Sequence, residues 1–246
     1  MVTGAQGYHD HAIDCAEKIA MKKILVTTLA ACGLALAVPV MGAAPPENWD
    51  GLVKVKAKKL QLVYLRPGAD FRVYTKVMLD PTEVSFRKNW QRDHSDISNR
   101  VDDSDVRRIL DEAQKGFQKL FVEAYTKAGY QVVTTPGPDV LRLTTGIVNL
   151  DVNAPDAMTA GRVYTFSQDA GEATLVLQAY DSVSGSLLGR GIDRQTLDDL
   201  HTYIRNSVTN SSDFEQAFAR WAKASAEGLT ELKNISPVDT TGMQKK

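Results

Sequence analysis

Cysteine is nearly absent: the 246 residues hold two, Cys15 and Cys32, and neither lies beyond the first long apolar run. A folded part without thiols has no disulfide framework, no thiolate metal site and no cysteine nucleophile. Histidine is almost as scarce. Of the four, His9 and His11 precede that run, and His94 and His201 are not at ligand spacing from one another, so no zinc set can be written. An excess of one charge sign is missing too. The formal net charge of −1 leaves no electrostatic footprint for nucleic acid. No G-x-S-x-G occurs. Asp93-His94-Ser95 has triad letters, but sequence neighbours point apart and cannot form the relay. Gly185-Ser186-Leu187-Leu188-Gly189-Arg190-Gly191 lacks the lysine and following hydroxyl of a phosphate loop and reads as a hairpin turn entering a tight strand. No catalytic, metal or cofactor residue can be assigned from these patterns.

One long apolar run is present. Met21-Lys22-Lys23 opens it, Ile24 to Val38 carry it, Pro39 breaks it, and the small residues Gly42, Ala43 and Ala44 close it. Basic, then apolar, then small is the order of a secretory signal peptide. A cut after Ala43 leaves Ala44-Pro45-Pro46 as the new start; a cut after Ala44 would set Pro45 beside the scissile bond. An uncleaved anchor needs roughly 20 apolar residues, and Gly33, Pro39 and Gly42 weaken that alternative. Residues 1–20 read as an upstream extension from a misplaced start, with Met21 as initiator and 21–43 as the leader. Removing residues 1–43 takes away as many acidic residues (Asp10, Asp14, Glu17) as basic ones (Lys18, Lys22, Lys23), so the balance stays near neutral. The expected address is the periplasm, with no transmembrane segment after cleavage. Leu29-Ala30-Ala31-Cys32 also matches the pattern ahead of a lipidated cysteine. The alternative is therefore an outer-membrane lipoprotein anchored at Cys32, with a leader running only from Met21 to Ala31.

Residues 44–236 read as one α+β domain and 237–246 as a disordered polar tail. Leu60, Leu62 and Tyr64 alternate as a strand that ends at Arg66-Pro67-Gly68. Another strand, Tyr74 to Leu79, is interrupted by Asp80-Pro81 and resumes at Val84-Ser85-Phe86. Val106, Ile109, Leu110, Ala113, Phe117, Leu120, Phe121, Ala124, Tyr125 and Ala128 make one helical stripe. Asp102, Asp103 or Ser104 can cap its start, and Gly129 can end it. Leu141, Leu143, Thr145 and Ile147 alternate, and past Gly146 the phase shifts to Val148, Leu150 and Val152, the mark of a bulge. Val163 to Phe166 reads as a short strand, and Ala173, Leu175, Leu177 and Ala179 as one arm of a hairpin. Leu197 to Val208 is ambiguous, a loop with a helical turn. Ser212 with Glu215 is a capping box, opening a second stripe through Phe214, Phe218, Trp221, Ala222, Leu229 and Leu232. The expected architecture is a mostly antiparallel sheet with two long amphipathic helices packed on one face.

In the polar stretch Asn89 to Asp103, Trp90 is the one aromatic residue and the candidate contact site. The competing reading is a plug over the sheet edge. Arg87, Lys88, Arg92, Arg100, Arg107 and Arg108 are interleaved with Asp93, Asp96, Asp102, Asp103 and Asp105, which makes a solvated face rather than a basic patch. Three functions stay open. The leading one is a non-catalytic binding or assembly module whose partner is an envelope protein or lipid. The others are an envelope hydrolase using Asp and Glu side chains, and a lipid-handling module with an apolar ligand between sheet and helices.

Val73-Tyr74-Thr75-Lys76-Val77-Met78-Leu79-Asp80-Pro81-Thr82-Glu83-Val84 resembles the signature of a family of bacterial exported proteins called domain of unknown function 3313. So do Ala160-Gly161-Arg162, Ala170-Gly171-Glu172-Ala173-Thr174-Leu175, Asp181-Ser182-Val183-Ser184-Gly185 and the Trp221-Ala222 helix. The resemblance spans about residues 48–234. It implies a secreted or lipoprotein envelope component and brings no ligand or catalytic residue.

Overall fold

Alternating apolar residues and the turns between them produce most of the strands. The protein is described here by a computed structural model covering residues 45–95, 100–152, 165–205 and 207–244. Ala43, Ala44 and Cys32 lie outside the described residues, and all that follows belongs to the compact unit Pro46–Lys246. Among the described residues nine strands make one sheet: β1 (Asn48–Trp49), β2 (Leu52–Val55), β3 (Leu62–Leu65), β4 (Lys76–Leu79), β5 (Glu83–Phe86), β6 (Gln131–Val133), β7 (Val140–Val152), β8 (Thr165–Asp181) and β9 (Leu187–Arg205). Neighbours run β1-β2-β3-β9-β8-β7-β4-β6, and β5 also pairs with β7. The helices are α1 (Trp90–Asp93), α2 (Asp103–Lys127), α3 (Ser207–Ile235) and α4 (Thr240–Gln244).

The chain is α+β and the sheet mostly antiparallel, but it is mixed at one end. There β4 runs parallel to β6 and β7, and β5 runs parallel to β7. A parallel pair needs a crossover connection, and α2, between β5 and β6, supplies one. Asp80-Pro81 separates β4 from β5, yet both lie along β7, and Asp80 N–H still donates to Leu143 O at 3.0 Å.

Helix α2 starts where the acidic cap residues stand. Asp102 accepts from the N–H groups of Ser104 and Asp105, and the Asp105 carboxylate accepts from Asp102 N–H, which closes a capping box. Gly129, with φ 89°, ends it. The stripe buries Phe117, Phe121 and Tyr125 completely, with Phe117 and Phe121 stacked at 4.3 Å. Helix α3 sets Phe218 edge-on to Phe117 at 5.2 Å. Strand β7 presents Leu141, Leu143 and Ile147 to the core, then Leu150 and Val152. The phase change is a bulge between Val148 and Asp151, with Asn149 at φ 54°. Opposite it, Gly171 comes so close to β7 that a Cβ would lie 1.8 Å from Asp151 O, leaving room only for glycine. The β8–β9 turn is held by Asp181, which accepts from Ser184 N–H at 2.7 Å and Tyr74 O–H at 2.9 Å. The Ser184 N–H holds the Asp181 carboxyl below its ordinary range against the opposing effect of burial.

Three expectations need correction. Leu197 to Arg205 is not a loop: it is the outer half of β9 and pairs with β8 as far as Thr165↔Arg205. Helix α3 does not wait for the Ser212 cap but already runs from Ser207. The segment from Pro237 is not a disordered tail. Val238 is buried, its N–H donates to Ala69 O at 2.8 Å, Gly68 N–H donates to its carbonyl at 2.9 Å, and α4 follows beside β2.

Candidate functional site

The register of four adjacent strands, β3, β9, β8 and β7, places small residues side by side. Leu65, Gly189, Ala179 and Leu143 form one cross-strand row, and Val63, Gly191, Leu177 and Thr145 the next. Residues two apart share a face, so Gly189, Gly191 and Ala179 make a depression with larger apolar side chains around it. Helix α3 crosses above it and is itself small there, with Ala224, Ser225 and Gly228 facing down. Close-packed interiors leave few voids. Here both layers omit side-chain volume at the same place, and a cavity of about 350 Å³ results.

Its walls are apolar. Leu60, Leu65, Phe71, Leu141, Leu143, Leu177, Leu229 and Leu232 line it, and Met243 of α4 closes one side. Lys56, Lys58, Lys59 and Glu231 stand at its mouth, and Arg190 lines it from β9 with its guanidinium paired to Asp50 and laid over Trp49. Deeper in stand the Tyr125 and Ser225 hydroxyls, 2.6 Å apart. Each hydroxyl carries one proton and only one is used between them, so this pair presents a spare O–H donor. Burial pushes the Tyr125 phenol up, so it stays protonated at any ordinary pH.

The segment Lys56 to Gln61 straps the mouth. Leu60 dips over Gly191, where an added Cβ would meet its Cδ1 at 2.7 Å. Lys59 reaches across to α3 and pairs with Glu227 at 2.7 Å and Glu231 at 2.8 Å. Those hydrogen bonds raise the Lys59 ammonium and hold the Glu227 carboxyl below its ordinary range. Lys56 N–H donates to Met243 O at 3.2 Å, tying the strap to α4. At the strap's far end, Gln61 N–H donates to Asp193 Oδ1 at 3.0 Å. Asp193 Oδ2 accepts from Trp221 Nε1 and Gln195 Nε2, both at 2.8 Å. This buried carboxylate, one side chain on β9, therefore fixes the strap and α3 together. The other buried carboxylate, Asp105, is spent in the α2 capping box.

Trp90 is not a contact residue. It is 1% exposed, stacked 3.8 Å from Phe86 on one side and 4.8 Å from His94 on the other, and its Nε1 donates to Val152 O at 3.2 Å. Lys88, Asn89, Arg92 and Asp93 around it are exposed because α1 is a single turn with one inward side, while Arg87, Gln91 and His94 are half-buried. Among the basic residues near Trp90, Arg87 pairs with Asp93 and Asp151, Arg92 with Asp93, and Arg108 with Asp105 and Glu112. His94 Nε2 stands 3.7 Å from Asp151; the side chain of His201 is outside the described set. Among the described residues no group of His, Cys, Asp and Glu could hold a metal ion, and no helix is long and apolar enough to cross a membrane.

The fold and site define an α+β domain with an apolar cavity beneath α3. The chain belongs to the DUF3313 family, proteins of unknown function, whose profile matches residues 46–225. No curated protein matches it. Solved structures that resemble it include protein XCC0632 from Xanthomonas campestris, of the DUF330 family, at 11% identity and TM-score 0.40, covering 68% of this chain and 91% of that one. A lipoprotein of Caulobacter crescentus CB15 matches at 13% identity and TM-score 0.34, covering 68% and 98%. The PelC dodecamer from Paraburkholderia phytofirmans matches at 8% and 0.35, covering 66% and 96%. Likenesses this remote carry no activity over to this chain.

Proposed function

We propose that the protein is an exported, non-catalytic envelope module that binds an apolar ligand between its sheet and its two long helices, both on the same face. The cavity carries this reading. Tyr125 of α2 and Leu229 of α3 border it together with Leu141 and Leu177 of the sheet, which is the arrangement two helices on one face would give. Its walls have the composition of small-molecule sites, mostly apolar with a polar point that fixes orientation.

Gly228 offers the test. A Cβ there meets nothing within 4 Å, and replacing glycine inside a helix by phenylalanine removes part of a penalty of about 1 kcal/mol. Gly228→Phe should leave stability unchanged or raise it, while abolishing the fluorescence of N-phenylnaphthylamine bound to the wild-type protein. Probe binding that survives Gly228→Phe would refute the cavity as the site.

Export rests on the leader at 21–43. The mature chain should begin at Ala44 and be recovered from the periplasm. N-terminal sequencing that finds Met21 retained, or mass spectrometry that finds a diacylglycerol on Cys32, would refute this.

A further inference from the structure

We infer that the occupant is a single-chain anionic amphiphile, a long-chain fatty carboxylate, with its chain under α3 and its carboxylate at Lys56 and Lys58. This rests on the cavity reading above and adds the chemical class of the ligand.

Volume decides the number of chains. At about 350 Å³ the cavity lies at the low end of the roughly 300–1,000 Å³ typical of ligand pockets. It admits one extended chain and not the paired chains of a phospholipid.

Charge decides the head group. The strap brings three ammonium groups to the mouth against two carboxylates, Glu231 of the lining and Glu227 beside it, both of which are paired with Lys59. Lys56 and Lys58 are exposed and have no ion pair among the described residues. The uncompensated charge at the opening is therefore positive, while the wall behind it is apolar. That is the polarity of an anionic amphiphile held tail-inward.

The reverse orientation fails on desolvation. A carboxylate pushed in beside Tyr125 and Ser225 would gain one O–H donor and no cation, since Arg190, which also lines the cavity, is paired with Asp50 and laid over Trp49. Burying an unpaired ionised carboxylate costs far more than one hydrogen bond returns.

The experiment is displacement of N-phenylnaphthylamine from the delipidated full-length protein by two amphiphiles of equal chain length, palmitate and hexadecyltrimethylammonium, each below its micellar concentration. Palmitate should displace the probe at about tenfold lower concentration, the scale that two exposed charge contacts supply. The advantage should shrink in about 1 M salt, where the screening length is about 3 Å. It should reverse in the double variant Lys56→Glu, Lys58→Glu, whose exposed positions leave the thermal melt unchanged. Equal displacement by the two amphiphiles, or a preference the double variant leaves intact, overturns the head-group assignment while the cavity stands. Displacement by phosphatidylglycerol vesicles but not by palmitate overturns the single-chain assignment. A probe that never binds, or that binds Gly228→Phe as well as wild type, overturns the underlying cavity reading instead.

Discussion

Trp221→Ala is expected to lower the unfolding free energy by about 3–5 kcal/mol through lost core volume alone. The indole is 1% exposed and stacks on Phe218 with centroids 6.0 Å apart. Its loss also strips one donor from Asp193, and a buried carboxylate left short of a partner costs about 1–3 kcal/mol more. The two contributions share a site and will not add fully. Against a total of roughly 5–15 kcal/mol for a typical domain, the variant should be barely folded at 37 °C. Trp221→Phe separates the terms: it keeps most of the volume and loses the hydrogen bond, so it should retain the smaller deficit alone. Urea melts of the three proteins decide the matter. A neutral Trp221→Ala would remove α3 from the core.

Trp90→Ala should be nearly as damaging, at about 3–5 kcal/mol, because, of the two readings the sequence left open, contact site or plug over the sheet edge, the buried ring fits the plug. Its ring fills the space between Phe86 on β5 and His94, and its N–H satisfies Val152 O at the bulged end of β7. Removing it opens a cavity and leaves a buried carbonyl without its donor. Equilibrium unfolding followed by far-UV circular dichroism measures the loss. A shift under about 0.5 kcal/mol, the range of ordinary surface substitutions, would restore Trp90 as a surface group.

What was legible in the sequence was local. The α2 stripe announces itself because its period and both end signals agree. The β7 bulge shows as a phase change in a single strand, seen past Gly146 and sited between Val148 and Asp151. The outer half of β9 was hidden because Leu197, Leu200 and Tyr203 recur every third residue, a helical spacing, while the strand is dictated by pairing with β8. Trp90 was left between contact site and plug for the same reason: a window of polar neighbours says nothing of a ring whose partners lie on β5 and β7. The cavity was hardest to see. It is an absence of volume, and Gly189, Gly191 and Ala179 become a floor only when β8 and β9 take one particular register. The glycine cluster from Gly185 was correctly read as a hairpin, with Gly185 at φ 69° in its turn. That two of its members also make room for something else depends on strands far away in sequence.

The strap is fastened to α3 and α4 by the exposed Lys59 ion pairs, one backbone hydrogen bond to Met243 and, at its Gln61 end, the buried Asp193 carboxylate that also holds Trp221. The aromatic core between α2 and α3 adds contacts the strap does not share. Exchange of the proposed occupant would therefore need only a local opening of the strap, cheaper than unfolding. Residence time and thermal stability become separate properties of this molecule, set largely by different residues.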